Sequence, residues 1–282
     1  MGTFASEDRG WALVDDDNCS SMAERQADGA AKDSDAKAAV GTGYVPRDYE
    51  QDPQAAYVCA SPSRAPKVPR SEWVERIQER QAKKQRGIDL IEAYNAPRLH
   101  QGQTSSCWIQ TVIQGMHLVM ASNGGPIIPL SPGYASGLIK GFRDVGGNCS
   151  EAAKWIHESG TCDQTLCPPN ANTSRKYNTN EASENALRHR ILEYDDLTPK
   201  SFEEMFDELF AGLFVGYGNY TMSHAVLAID PLIDAKGNFG VLTLNSGLYR
   251  GPDGLTQFYG SRARPDDAIA VRTITIDTKV PA

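Results

Sequence analysis

The segment Gln101-Gly102-Gln103-Thr104-Ser105-Ser106-Cys107-Trp108 is a polar, glycine-containing loop that runs directly into an apolar-striped stretch. After Cys107, the residues Ile109, Val112, Ile113, Met116 and Met120 recur at three- and four-residue spacing, which predicts a helix with one face built for burial. Cys107 then falls in the first turn of that helix. Unpaired backbone N–H groups and the positive end of the helix dipole favour thiolate there, so this reading predicts a lowered thiol pKa and a nucleophile.

A nucleophilic cysteine needs an imidazole within hydrogen-bond reach, and the chain has five histidines. His157 and His189 lie in polar stretches that read as exposed helix, and His100 beside the loop reads as a surface residue. His117 follows Cys107 by ten residues on the same predicted helix, about 15 Å of rise, too far to serve it. His224 instead opens the run Ala225-Val226-Leu227-Ala228-Ile229, a buried-strand pattern that can hold an imidazole rigidly against a cleft. Val241-Leu242-Thr243-Leu244-Asn245-Ser246 completes a hairpin pattern that brings Asn245 back near the strand start. Its side-chain carbonyl could orient the ring, although an asparagine at a strand end is also an ordinary turn residue.

The remainder divides into three stretches. Residues 1–66 read as an extended or disordered arm: Ala23 to Val40 is nearly all small or charged, while Gly43 to Cys59 carries scattered aromatics and prolines. Such an arm suits lying on a surface, its own or a protein partner's. Residues 67–97 read as a linker helix capped by Ser71 and running toward Tyr94, with a basic middle (Arg76, Arg80, Lys83, Lys84, Arg86), a solvated face and a bend or break at Gly87. Residues 98–282 hold the chemistry. There Ser150 is the expected cap of a short helix closed by Gly160, residues 161 to 180 read as loop, and a helix follows Pro199 with Phe202, Met205, Phe206 and Leu209 on one face. From Leu213 onward the period becomes extended, with short β-rich runs at 213–217, 224–229, 239–244, 255–259 and 269–276. A helical half followed by an antiparallel sheet or barrel half is an α+β architecture, with the cleft at their junction.

Composition narrows the function further. The formal net charge is −8, which argues against nucleic-acid binding. No apolar run approaches the ~20 residues of a membrane helix, and no cationic start precedes an apolar core, so the expected location is not Sec-secreted. The six cysteines lack paired CxxC spacing, so no metal is expected.

Gln101-Gly102 six residues ahead of Cys107-Trp108, then Ser223-His224-Ala225-Val226, then Asn245-Ser246 and Gly251-Pro252-Asp253-Gly254, resemble the papain-like cysteine proteases in order and local sequence. The likeness spans roughly residues 97 to 276. It implies a papain-like fold and hydrolysis of a peptide or protein substrate without cofactor. Carried over, Cys107 is the nucleophile, His224 the general base and acid, Asn245 the orienter and Gln101 the oxyanion donor. Gly146 and Gly147 resemble the wall along which that family lays its substrate backbone, with Trp108 and Ser223 as further substrate-side residues. Thr104 stands where secreted members carry a cysteine, in keeping with a reducing compartment, and Gly247 replaces the tryptophan that shields the Asn–His bond, which implies an exposed pair. Val68 to Trp73, Leu130-Ser131-Pro132 and Phe142-Arg143 are similar to papain-like proteins encoded in bacteriophage genomes. That likeness implies a cytoplasmic or virion-associated protein whose arm meets a partner in a viral particle. Two rivals remain at this level: a structural protein that keeps the fold without catalysis, and a cell-wall peptide amidase of the NlpC type, which uses a second histidine that does not follow His224 here.

Overall fold

The computed structural model describes residues 11–16, 43–247, 250–251 and 253–275. The stretch 23–40, expected to be disordered, lies outside the described residues. In chain order the elements are β1 (Ala12–Val14), β2 (Ala60–Ser61), α1 (Trp73–Ala82), α2 (Gly87–Tyr94), α3 (Cys107–Ser122), α4 (Pro132–Ile139), α5 (Cys149–Ser159), α6 (Asn180–Ala186), β3 (Ile191–Asp196), α7 (Phe202–Phe210), β4 (Val215–Asn219), β5 (His224–Ile233), β6 (Phe239–Leu244), β7 (Leu255–Tyr259) and β8 (Asp267–Ile274). The eight strands form one open sheet in the order β1-β7-β6-β5-β4-β8-β3-β2. β1 and β2 join it in parallel at its two ends, and every other pairing is antiparallel.

Helices cover both faces of this sheet, and strand alternation sorts the side chains between them. Ala225, Ile269 and Val271 pack with the α3 residues Ile109, Val112, Ile113 and Met116. Their neighbours Val226, Ala268 and Ala270 pack on the opposite face with Met205, Phe206 and Leu209 of α7. α3 is buried from Cys107 through Ala121, all the way round rather than along one stripe. Its buried polar side chains therefore need protein partners, and they clip loops: Gln114 Oε1 accepts from Leu99 N–H at 3.2 Å, and His117 Nε2 accepts from Leu130 N–H at 2.9 Å.

The expected linker helix is two helices broken at Gly87, with Arg76, Lys83 and Lys84 exposed and an opposite face, Trp73 and Ile77, buried. Gly87 opens α2 because a Cβ there would lie 2.6 Å from Ile229 O, while Asp230 caps the new helix by accepting from the N–H groups of Gly87 and Ile88 at 2.7 and 3.0 Å. Trp73 is buried against α7, its ring stacked 4.2 Å from Phe206. Ser71 lies in a short 3-10 turn and caps nothing. Asn148, not Ser150, caps α5, accepting from Glu151 N–H at 2.9 Å. His189, expected on the surface, is buried.

The arm lies on its own domain. Arg47 reaches Asp196 on β3 with paired bonds of 2.7 and 2.8 Å, Ala55 N–H donates to the same carboxylate at 2.8 Å, and β2 then pairs with β3. No helix among the described residues is long and apolar enough to cross a membrane, and no cluster of His, Cys, Asp or Glu among them could hold a metal ion.

Candidate active site

Cys107 begins α3, and Ser106 precedes it without a side-chain cap bond, so the first-turn N–H groups are left for something else. β5 begins beside it: the backbone N–H of Ala225, the residue after His224, donates toward the Cys107 sulfur. His224 Nε2 lies 2.9 Å from Asn245 Oδ1. That oxygen also accepts from Gly247 N–H at 3.0 Å, and Asn245 Nδ2 donates to Thr256 Oγ1 at 3.3 Å, which fixes which way the amide points. An imidazole nitrogen facing a carbonyl oxygen carries the proton. Nδ1 then holds the lone pair, and it is buried with no hydrogen-bond partner among the described residues.

Gln101 ties the two halves together. Its backbone N–H donates to Ser246 O at 2.8 Å, its Oε1 accepts from Ser246 Oγ at 3.0 Å, and its Nε2 donates to Thr104 O at 2.9 Å. This packing explains Gly247. A Cβ at that position would lie 2.4 Å from Gln101 Oε1, so no larger residue fits while the glutamine amide stays in place. The exposure expected from Gly247 is not observed: Asn245 and His224 are both 0% exposed. The Gly247 backbone and the approach of Gln101 do the covering that a large side chain was expected to do.

The main departure from the sequence reading concerns the thiol. Residues 43–45 run along Gly147 as a short parallel bridge, with Gly147 N–H donating to Gly43 O at 2.8 Å and Val45 N–H donating to Gly147 O at 2.9 Å. The contact is close enough to require glycine on both sides, since a Cβ on Gly146 would sit 2.2 Å from Gly43 O and one on Gly43 would sit 2.0 Å from Ser105 O. Cys107 is consequently 0% exposed. Burial pushes its thiol up to about 11 although the N–H groups of Ala225, Gly43 and Trp108 pull the other way. Burial likewise pushes His224 down to about 4, partly offset by Asn245. The lowered thiol pKa expected from the helix start is thus absent while the arm lies here, because desolvation outweighs the dipole.

Trp108 is buried behind the wall rather than lining a cleft. A Cβ on Gly147 would meet its ring at 2.8 Å, its Nε1 donates to Ser105 O at 3.1 Å, and Lys140 Nζ stands 4.9 Å from its ring centre. Ser223 holds a left-handed backbone at φ 48° immediately before His224. Two residues at this site escaped the sequence reading. Tyr44 fills a pocket beside Gly218 and donates its hydroxyl to Asp267 Oδ1. Nothing local in sequence marks either Asp267 or Tyr44.

No family model and no curated protein matches the chain. Solved structures do. Procathepsin L 3 from the larval midgut of Tenebrio molitor aligns over 89% of this chain and 86% of its own at 14% identity, with a TM-score of 0.57. Xylellain, a cysteine protease from Xylella fastidiosa, aligns over 83% and 96% at 16% identity, TM-score 0.55. The bromelain protease from Ananas comosus, in complex with the E64 inhibitor, aligns over 67% and 97% at 17% identity, TM-score 0.52. The chain therefore has the α+β fold of papain-like cysteine proteases.

Proposed function

We propose that this protein is a cysteine peptidase with Cys107 as nucleophile, His224 as general base and acid, Asn245 as orienter and Gln101 as oxyanion donor. The observation that carries the reading is the 2.9 Å bond from His224 Nε2 to Asn245 Oδ1, which leaves Nδ1 as the acceptor at the start of β5, one residue before the Ala225 N–H that points at the thiol. Nδ1 makes no hydrogen bond to the sulfur in the closed arrangement. Nδ1 takes the thiol proton and the sulfur attacks a peptide carbonyl carbon. The resulting oxyanion is held by the Gln101 amide and the Cys107 backbone N–H, at the positive end of α3. His224 then protonates the leaving amine, and later deprotonates the water that frees the acyl group. The likeness to phage-encoded members, and with it a place in a virion, rests on three short sequence segments alone.

In the closed arrangement no substrate reaches the sulfur, so hydrolysis requires residues 43–45 to leave the wall. The test is a peptidyl epoxide offered to the full chain and to its Tyr44→Ala variant, with the labelled residue read by mass spectrometry. Labelling of Cys107 that is faster in Tyr44→Ala and lost in His224→Ala supports the peptidase. Failure to label Cys107 in a folded Tyr44→Ala chain favours the second reading, a structural protein whose cleft stays filled. That reading is supported by the complete burial of the thiol.

A further inference from the structure

Asp267 is a buried carboxylate on β8 whose one side-chain hydrogen bond among the described residues comes from the arm. Its Oδ1 accepts the Tyr44 hydroxyl, while Oδ2 is buried with no partner. The contrast with Asp196 on the neighbouring strand β3 is direct, since that carboxylate is filled by Arg47 and by Ala55 N–H. An acid in the interior with so little support is costly unless a donor is supplied. When the arm leaves, the donor leaves with it.

The walls around Tyr44 are shaped for a flat ring. On β4 the residue against the ring is a glycine: a Cβ on Gly218 would lie 2.0 Å from the Tyr44 ring itself. Tyr220 closes the outer side, its ring 5.8 Å from that of Tyr44 and tilted 31°. A slot lined by backbone on one face and an aromatic on the other suits a phenol better than a branched side chain. A cationic side chain could also reach a carboxylate; Arg47 on one side and Asp196 and Asp266 on the other already act on Asp267, so the flat shape of the slot rather than its charge favours the phenol.

The position of this slot relative to the thiol is given by the arm. Tyr44 is bridged to Gly147, and its neighbour Gly43 turns a backbone N–H toward the Cys107 sulfur. The sulfur thus faces a donor rather than a carbonyl carbon, and the arm lies in the groove without being in line for attack. From these observations we infer that the Gly218–Tyr220–Asp267 slot is a tyrosine-selecting subsite for peptide substrates, and that residues 43–45 are its built-in, uncleaved occupant. The inference rests on the peptidase reading above, whose substrate class it names.

The experiment separates the two. In full-length Tyr44→Ala/Cys107→Ser protein, the affinity of a synthetic peptide copying residues 41–47 is measured by calorimetry beside its Tyr44→Phe and Tyr44→Arg counterparts. A hydroxyl bonded to a buried acid predicts binding tighter than the phenylalanine peptide by roughly tenfold to a hundredfold, with the arginine peptide weaker than the tyrosine one. Adding Asp267→Ala is expected to bring the tyrosine and phenylalanine peptides within about twofold of each other. Equal affinities, a preference for arginine, or a tyrosine preference that survives Asp267→Ala would each overturn the inference. Turnover is then read in Tyr44→Ala protein with matched fluorogenic peptides. The binding order without hydrolysis removes the peptidase and leaves the subsite, whereas hydrolysis without tyrosine preference does the reverse. Should Tyr44→Ala not fold, Tyr44→Phe in the otherwise native chain is expected to speed alkylation of Cys107 by about tenfold or more, and to add nothing once Asp267→Ala is present; an unchanged rate sinks the idea.

Discussion

Residues 43–45 and residues 47–61 belong to one continuous arm, yet the two segments are held by different physics. The second is anchored: a buried guanidinium, Arg47, meets a buried carboxylate, Asp196, and the chain goes on to pair as a strand with β3. The first is a cover, held by two backbone bonds to Gly147 and one phenol on Asp267. Removing one partner from a buried ion pair leaves a charge shut in the interior, whereas lifting the cover returns a backbone and a tyrosine to water and opens Asp267 to the same water in place of its lost donor. The arm is therefore tied firmly at one point and lightly where it crosses the thiol.

The largest break of that comparison is Asp196→Ala. It takes away the fully buried partner of Arg47, which keeps only the neighbouring Asp52 at 3.0 Å, and is expected to cost about 3 kcal/mol of global stability, measurable as a lower urea midpoint. If the loss is no larger than for a surface substitution, the anchor is not what holds the arm. Next comes Gly146→Ala, whose Cβ would sit 2.2 Å from Gly43 O and so expels the cover while leaving the anchor intact. Overpacking of this kind costs about 1 to 3 kcal/mol. Most of it is expected to surface as faster alkylation of Cys107, with only a small change in the melting curve.

The third concerns pH. Burial raises the thiol, so in the native chain thiolate forms only as pH climbs toward about 11, and the iodoacetamide rate should rise with it. In Gly146→Ala the midpoint is expected to move down, each unit being worth about 1.4 kcal/mol of differential stabilisation. A midpoint that stays put would mean that the arm is not what desolvates the sulfur. The smallest effect is a control away from both segments. Arg76 on α1 bridges the exposed Glu72 and Glu79 at 3.5 and 3.3 Å, and Arg76→Ala is expected to leave the melting temperature and the alkylation rate where they were.

What could be read from sequence alone follows the same division. The helix at Cys107, the strand at His224 and the return to Asn245 were legible because each is announced by its own neighbours, through apolar period or a turn. β3 was missed because Glu193, Asp195 and Asp196 break its apolar pattern, and those acids are present to receive Arg64, Arg272 and Arg47. The state of the thiol was misread for a related reason. Its pKa is set by burial, to which residues more than sixty positions earlier contribute by lying over it, and no local pattern carries that information. Asp267 and Tyr44 became visible as a pair only once the arm and β8 lay side by side.

The sheet order gives the N-terminal region a further consequence. β1 lies at one end of the eight strands and β2 at the other, so the chain before α1 supplies both outermost strands. Unpaired strand edges are templates for pairing with other chains. Clipping away everything before α1 would open the cleft, but it would also bare β7 on one side and β3 on the other, inviting self-association. The chain can uncover its sulfur without baring those edges only by a local opening of a few residues with both selvedges left sewn.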